Sequence, residues 1–126
     1  MKYMLLCYDD MQAWDRAGAA EMRAAMDEAV ALTHELNARG QYLLASPLHG
    51  VETATCVRVK DGKRSVTDGP FAETREVLGG FYIIDVKDLN EAINVAARHP
   101  GQRFGGVEIR PILELAGLPS GSSPVQ

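Results

Sequence analysis

Two segments of the chain are apolar on both of the faces that a β-strand presents. Lys2 to Tyr8 (KYMLLCY) places Tyr, Leu and Cys on one side and Met, Leu and Tyr on the other, because successive side chains of a strand point in opposite directions. Phe81 to Val86 (FYIIDV) has the same character and is rich in aromatic and β-branched residues. A sheet built from these two strands therefore has two faces to remove from water.

The remaining elements follow from periodicity and from turn residues. Ala19 to Arg39 is Ala-rich, and its larger apolar side chains recur at helical spacing until Gly40, a residue type that favours helix ends. Asp61-Gly62 predicts a two-residue hairpin turn. Asp88 with Glu91 resembles a capping box that opens a second helix. Further strands are predicted at 42–48, 53–60, 65–68 and 106–112, the second helix at 89–97, and a connector at 9–18.

This order, β-α-β, a hairpin and again β-α-β, predicts an α+β fold of the ferredoxin-like βαββαβ type, with an antiparallel sheet and two helices on one face. The two helices leave the second face of the sheet uncovered. The simplest cover is the same sheet of a second copy, stacked face to face in a dimeric α+β barrel, so we expect an obligate homodimer. Polar residues on that inner side, Glu108, Arg110 and Arg58, are then expected to line a hydrated cavity between the sheets.

Length, charge and cysteine usage limit the class of protein. A chain of 126 residues has the size of one domain, predicted at 1–117, with a flexible tail rich in Ser, Gly and Pro at 118–126. A net charge of −4 without basic, aromatic-interleaved runs argues against nucleic acid as a partner. No apolar run approaches the roughly 20 residues that span a bilayer, so no membrane is expected. Cys7 and Cys56 are expected as buried thiols of a reducing compartment, which predicts a cytoplasmic protein.

The densest chemistry of the sequence lies between Asp68 and Val86 (DGPFAETREVLGGFYIIDV). Asp-Gly-Pro is a turn signal with a mechanism: the Asp68 carboxylate can bind nearby backbone N–H groups, Gly tolerates unusual dihedrals, and Pro fixes its own φ. Phe71 is expected to anchor this turn. Residues 72–78 form either a solvated charged connector or one to two helical turns, in which Glu73 and Glu76 share a face.

The same run resembles the signature of the DGPF-type YCII-related proteins, whose members carry DGPFAE, then T, then K or R, then E, followed by LGGFY. The resemblance extends to MKYMLL at the start of the chain and VEIRPI near its end, and so covers most of the domain. It implies a dimeric α+β barrel, in agreement with the strands that are apolar on both faces. It implies little about activity, although members of this group often occur near regulators of transcription initiation.

The broader YCII-like proteins are associated with a His–Asp pair proposed as a catalytic site, with the histidine on the first helix. In this chain the corresponding stretch holds Met26, Asp27 and Ala29, and His34 lies about two helical turns too late. Part of the broader family removes HCl from a chlorinated hydroquinone. Because the helix lacks the histidine, the resemblance does not carry that reaction over to this chain.

A different His–Asp pair is the candidate catalytic site. His49 lies in a loop between two strands, where it can face Asp68, whereas His34 and His99 are expected at the surface. An imidazole beside a carboxylate suits general acid or base work near neutral pH. Candidate ligand-binding residues are hydroxyl donors, cations for an anionic group, and residues of the DGPF run and the last strand: Tyr8, Arg58, Phe71, Glu73, Glu76, Tyr82, Glu108 and Arg110. Such a pocket suits a small acidic or phenolic compound.

Motifs for other chemistries are missing from the sequence. It contains no HExxH, no CxxC and no Gly-x-Ser-x-Gly, so we expect no metal, no cofactor and no serine nucleophile. Two functions remain: a small-ligand-binding or regulatory homodimeric module, or an enzyme of lyase or isomerase type that acts on a small aromatic or oxo compound by general acid/base chemistry. A third interpretation makes the DGPF run architectural, with its turn and Phe71 locking the dimer.

Overall fold

The structure is a computed structural model that describes residues 1–119 of the chain. Within these residues it contains six strands and three helices. Their bounds are β1 Lys2–Asp10, α1 Met11–Arg16, α2 Ala19–Ala38, β2 Tyr42–Pro47, β3 Thr55–Lys60, β4 Lys63–Asp68, β5 Glu76–Asp85, α3 Leu89–Ala97 and β6 Gly105–Pro111. Short 3-10 turns occupy Val51–Thr53 and Pro100–Arg103.

Four of the strands form one antiparallel sheet in the order β2-β5-β1-β6. The two long central strands, β1 and β5, pair from Lys2 opposite Asp85 to Asp10 opposite Glu76. Strand order and direction are those of the predicted ferredoxin-like α+β fold, which is thereby confirmed. The remaining strands, β3 and β4, form a separate two-stranded sheet.

The hydrophobic core lies between the main sheet and the helices α2 and α3. From the sheet, alternate side chains of β1 and β5 are buried there, among them Leu5 and Ile84, both fully shielded from solvent. From α2, Leu36 is also fully buried, and α3 contributes Val95. Because both helices pack on one side, this single core follows the layer arrangement expected for a sheet with helices on one face.

The opposite face of the sheet carries the second apolar set of the central strands. Leu6 of β1 lies opposite Phe81 of β5, and both are only partly buried. On the neighbouring strand β6, Glu108 and Arg110 form an ion pair at 3.5 Å on this face, with side chains 49% and 70% exposed. In this chain, therefore, the helices shield one face of the sheet and leave the other, largely apolar, in contact with solvent.

The β3–β4 hairpin turns where the sequence predicts. Asp61 and Gly62 adopt φ values of 52° and 76°, the left-handed conformation that a tight two-residue hairpin turn requires. At the far end of β4, Gly69 has φ 91°, and its N–H donates to the carbonyl oxygen of Ala54 at 2.7 Å. The Asp-Gly-Pro turn is therefore tied back to the residue just before β3.

Of the two alternatives for 72–78, the structure shows the connector and not the helical turns: 71–75 is irregular, and Glu76 already belongs to β5. Two other local expectations are wrong. The predicted connector at 9–18 contains α1, because the Asp10 carboxylate caps it by accepting hydrogen bonds from the N–H groups of Gln12 and Ala13. The third strand begins at Thr55 rather than at residue 53, because a 3-10 turn precedes it.

No helix within residues 1–119 combines the length and the apolar character needed to cross a membrane. Of the predicted flexible tail, 118–126, only Leu118 and Pro119 are described, and both are exposed. The other residues of that predicted tail, 120–126, lie outside the described part of the chain.

The packing of α2 on the sheet predicts the effect of truncating its buried leucine. Leu36→Ala should lower the free energy of unfolding by about 2–5 kcal/mol, because a fully buried side chain leaves a cavity when it is shortened. Leu113→Ala is the matched control, since Leu113 is 82% exposed. Urea denaturation of the two variants measures both changes. A loss for Leu36→Ala no larger than that of the control contradicts the described core.

Candidate functional site

A cavity of about 550 Å³ opens between the sheet and the middle of α2. One wall comes from α2, a second from β1, β2 and β5, and a third from the loops after β2 and α3. The side chains on these walls are mainly apolar, with a small group of polar ones. That polar group is formed by Cys7, Asp9, Thr33, Tyr42, Ser46, His49, Tyr82 and His99.

Small residues create this space. Toward its C-terminal end α2 packs Leu32 and Leu36 into the core, whereas its middle presents Ala25 and Ala29 to the cavity. Gly80 of β5, which also lines the cavity, adds no side chain at all. Larger side chains at these three positions would fill part of the space that is open to a ligand.

Tyr82 and His99 form the polar pair of the cavity. The Tyr82 hydroxyl lies 2.9 Å from His99 Nδ1, and the two rings meet edge to face with centroids 5.3 Å apart. Burial, with the nearby Cys7 thiol as a smaller cause, raises the pKa of Tyr82 well above its usual range, and burial lowers the pKa of His99 below 6.5. At neutral pH both side chains are uncharged, so the hydroxyl can donate to Nδ1 while Nε2 carries the ring proton.

Asp9 is the acidic group of the cavity, and the sheet positions it through a β-bulge. The register of β1 against β5 shifts between Cys7 and Tyr8, so that Cys7 pairs with Gly80 and Tyr8 with Leu78. The extra residue of β5 is Gly79, and the Asp9 carboxylate lies against it. Burial raises the pKa of Asp9 above 3.8. Bulges commonly redirect a side chain in this way beside functional sites.

The adjacent carboxylate, Asp10, has a different environment and caps the N-terminus of α1. Partial desolvation acts to raise the pKa of Asp10. Hydrogen bonds from the N–H groups of Gln12 and Ala13, together with the Arg75 guanidinium, outweigh this effect and lower the pKa. Arg75 Nε lies 3.0 Å from Asp10 Oδ2. Asp10 is thus a helix cap whose ionised form is favoured, whereas burial favours the protonated form of its neighbour Asp9, which lines the cavity.

The Cys7 thiol is held in its neutral form. Burial, together with the Asp9 carboxylate, raises the pKa of Cys7 from 9.0 to about 12. Because the thiolate is the reactive form of cysteine, Cys7 is a wall residue of the cavity rather than a nucleophile. The described part of the chain also holds no cluster of three or more His, Cys, Asp and Glu side chains suited to a metal ion.

The predicted catalytic pair is divided between two regions. His49 lines the cavity, as does Tyr82. Asp68 does not line it: this residue ends β4, pairs with Thr55 in the hairpin and is exposed. His34 is exposed on α2 as expected, whereas the expectation that His99 lies at the surface is wrong, because its ring is partly buried against Tyr82.

The other predicted ligand-binding residues lie outside the cavity. Arg58 of β3 stacks over the exposed ring of Phe71, with the guanidinium carbon 4.2 Å from the ring centroid. Tyr8 points to the open face of the sheet, the face that also carries the Glu108–Arg110 ion pair. Glu73 and Glu76 are exposed, in the connector before β5 and at its first residue. The predicted ligand-binding residues other than Tyr82 therefore lie on three surfaces: the hairpin, the open face of the sheet, and the region where the connector joins β5.

Two cavity residues were missed from the sequence, Asp9 and His99. Asp9 follows a strand of apolar residues directly, and a carboxylate at a strand end is a signal that could have been used. His99 precedes Pro100-Gly101, which was interpreted only as the end of a helix. Its contact with Tyr82 joins residues 17 positions apart, which no local pattern in the sequence encodes.

Fold and cavity together define a small α+β protein with a ferredoxin-like sheet and an apolar pocket beneath its first long helix. A profile of the YCII-related domain matches residues 1–116, and the chain belongs to this family. An uncharacterised protein of Rhizobium meliloti (strain 1021) is 32% identical over 114 residues, which covers 89% of this chain and 92% of that one.

A solved structure shares the fold. The dehydrochlorinase TftG of Burkholderia phenoliruptrix AC1100, which acts on 5-chloro-2-hydroxyhydroquinone, was solved as a complex with 2,5-dihydroxybenzoquinone. It superposes with a TM-score of 0.52 at 14% sequence identity, over 90% of this chain and 94% of that chain. At this identity the likeness concerns the fold alone.

The lowered pKa of His99 predicts how stability depends on pH. Below about pH 6.5 the unfolded chain binds a proton at this histidine that the folded chain does not, so the free energy of unfolding should fall as pH decreases through the folded pKa. His99→Gln should reduce this slope, whereas the exposed His34→Gln should leave it unchanged. Urea denaturation at a series of pH values measures the slope. An equal slope in wild type and His99→Gln contradicts the buried neutral imidazole.

Proposed function

We propose that the protein binds a small, uncharged, planar compound with phenolic or oxo groups in the cavity beneath α2. One observation carries this proposal: a cavity of about 550 Å³ with apolar walls holds a Tyr82–His99 hydrogen bond and the Asp9 carboxyl among its polar groups. Ligand sites are typically about 300–1,000 Å³, mainly apolar, and have a few placed polar groups.

The electrostatics of the cavity favour a neutral ligand over an anion. No Lys or Arg is among its lining residues in the described part of the chain. The cations expected to hold an anionic group, Arg58 and Arg110, are exposed elsewhere. A carboxylate or phosphate entering this space would lose its hydration without a partner, which costs several kcal/mol or more. A phenol or quinone, in contrast, can exchange hydrogen bonds with Tyr82 and His99 while its ring contacts the apolar walls.

The compound in the TftG complex guides the choice of probe. 2,5-Dihydroxybenzoquinone is planar and carries both oxo and hydroxyl groups, but its hydroxyls are vinylogous acids that ionise well below neutrality, so the compound is an anion at neutral pH. The hydroquinone with the same substitution keeps the ring and the oxygen positions as neutral phenols, so it is the probe for the cavity, and dihydroxybenzoquinone is its anionic counterpart. Benzoate and inorganic phosphate serve as anionic comparisons of smaller or similar size.

The open face of the sheet supports a homodimer as the functional form. This face carries Leu6, Phe81 and Ile83, large apolar side chains that α2 and α3 do not cover. Stacking on the same face of a second copy would remove them from water, which is the cover that a two-fold dimer provides. We further propose that the protein works in the cytoplasm, since both free cysteines are buried thiols and no disulfide links them.

A second candidate function is catalysis of proton transfer on the same ligand class. Asp9, whose pKa is raised, and His99, whose pKa is lowered, line one cavity. Burial thus favours the protonated form of Asp9 and the neutral form of His99, so one cavity holds a proton donor and a proton acceptor, as general acid/base catalysis requires. Exchange of ring hydrogens of the hydroquinone for deuterium, followed by NMR, tests this activity, and Asp9→Asn should abolish it.

Ligand binding is predicted to raise thermal stability. At about 100 times its Kd, a ligand adds about 2.7 kcal/mol to the free energy of unfolding, so the melting temperature should rise with the neutral hydroquinone and not with benzoate or phosphate. Ala29→Trp fills the cavity and should abolish the rise. Ala24→Trp, at an exposed position of α2 outside the cavity, is the control and should keep it.

Three results of this assay bear on the proposal in different ways. A rise that survives Ala29→Trp would place the ligand elsewhere and contradict the cavity as its site. A rise with benzoate equal to that with the neutral hydroquinone would contradict the preference for uncharged ligands. No rise with any probe would contradict the proposed ligand class.

The dimer is predicted to depend on the open face. Leu6→Glu should convert a species of twice 13.7 kDa into one of 13.7 kDa, because a charge would be buried between the stacked sheets. Leu89→Glu replaces a half-exposed leucine at the start of α3 and should leave the mass unchanged. Analytical ultracentrifugation measures the mass. A wild-type protein of 13.7 kDa would rule out the dimer.

A further inference from the structure

Two glycines lie directly beneath the two ionisable side chains that line the cavity. A Cβ atom added to Gly79 would overlap Asp9 Oδ2 and lie 2.9 Å from its Cγ. A Cβ atom added to Gly101 would overlap His99 Nε2 and lie 2.9 Å from its Cδ2. Distances this short are not found between real non-bonded carbon atoms. Each side chain therefore occupies the space that any other residue would fill with its own Cβ.

The two glycines arise in unrelated parts of the fold. Gly79 is the extra residue of the bulge in β5, and it turns its empty side toward Asp9 of the neighbouring strand. Gly101 lies in the 3-10 turn that follows α3, two residues after His99. Both glycines also line the cavity. The same arrangement, a glycine beneath an ionisable side chain, thus occurs twice at one site, although the two segments share no sequence motif.

Other glycines of the chain do not have this arrangement. Gly106 and Gly18 have no atom within 4 Å of the position of an added Cβ. A Cβ atom added to Gly80 or Gly105 would meet backbone atoms instead, so these two glycines allow neighbouring segments of backbone to pack closely. At Gly50 the overlapping group is Glu52, a side chain that is exposed and does not line the cavity.

We propose that Gly79 and Gly101 are positioning residues, which hold the Asp9 carboxyl and the His99 imidazole against the cavity wall in the orientation that a ligand meets. The claim that these glycines orient groups for a ligand rests on the proposed function. The claim that they fix the positions of the Asp9 and His99 side chains can be tested without any ligand.

Substitution by alanine at these positions should move a side chain rather than unfold the protein. The overlapping atoms are the ends of side chains, and a rotation about χ1 or χ2 takes them to another staggered position. Neither glycine has a positive φ that would strain an alanine. The displaced carboxyl or imidazole then leaves its buried position and becomes more solvated.

The first experiment measures the pKa values of the Asp9 and His99 side chains in the protein without ligand. In Gly79→Ala the pKa of Asp9 should fall toward 3.8, and in Gly101→Ala the pKa of His99 should rise toward 6.5, because burial causes the shifts in wild type. NMR titration of the side-chain signals reads both values. Gly106→Ala, with open space at the added Cβ, is the control and should change neither.

The second experiment tests the overlap itself through double variants. Gly79→Ala should weaken binding of the neutral hydroquinone about tenfold in a chain that contains Asp9, and should have no further effect in Asp9→Ala, where no carboxylate remains to be displaced. Gly101→Ala should behave in the same way toward His99→Ala. If Gly79→Ala does not fold, restoration of folding in Gly79→Ala/Asp9→Ala supports the overlap, and failure to restore it overturns it.

The outcomes separate this inference from the proposed function. Unchanged pKa values of Asp9 and His99 in the two alanine variants would overturn the inference, whatever the ligand does. Shifted pKa values in a protein that binds no probe would support the positioning of the side chains and contradict the proposed ligand class. Equal effects of Gly79→Ala with and without Asp9 would show a purely structural role and overturn the inference.

Discussion

The antiparallel pairing of β1 with β5 at the centre of the sheet is the constraint on which the rest of the structure depends. On the helix side these strands send Leu5 and Ile84 into the core, and further along them Asp9 and Tyr82 reach the cavity. On the opposite side they present the second apolar set, exemplified by Leu6. A shift of the register by one residue would exchange the two faces, so core, cavity and open face are all fixed by one pairing.

Burial gives the cavity its chemical character. It raises the pKa of Asp9 and lowers the pKa of His99, and in both cases it favours the uncharged form. The partner of His99 is the equally neutral hydroxyl of Tyr82. The cavity thus offers donors and acceptors of hydrogen bonds but, in the described part of the chain, no Lys or Arg to pair with an anion, and this combination suits phenolic and oxo compounds better than anions.

The DGPF run, which marks the family in the sequence, lies beside the hairpin rather than in the cavity. Its turn is tied to Ala54, and its Phe71 ring is covered by Arg58. Its one link toward the cavity is Arg75, which pairs with Asp10, the neighbour of Asp9. The contacts of residues 68–75 within one chain are therefore mainly architectural. The LGGFY end of the same signature, in contrast, lines the cavity and supplies Tyr82, whereas Asp9 and His99 come from parts of the sequence that no motif singles out.

The sequence by itself determined the fold class, the hairpin turn at Asp61-Gly62 and the two-sided character of β1 and β5, because each of these follows from local periodicity and turn chemistry. It also placed His49 and Tyr82 in a loop and a strand that reach the cavity. Only the tertiary structure decided that His99 meets Tyr82, that Asp9 lies over Gly79, and that Asp68 stays in the hairpin. Those contacts join residues that are distant in the chain, and the register of paired strands and the path of the loops, not neighbouring residues, bring them together.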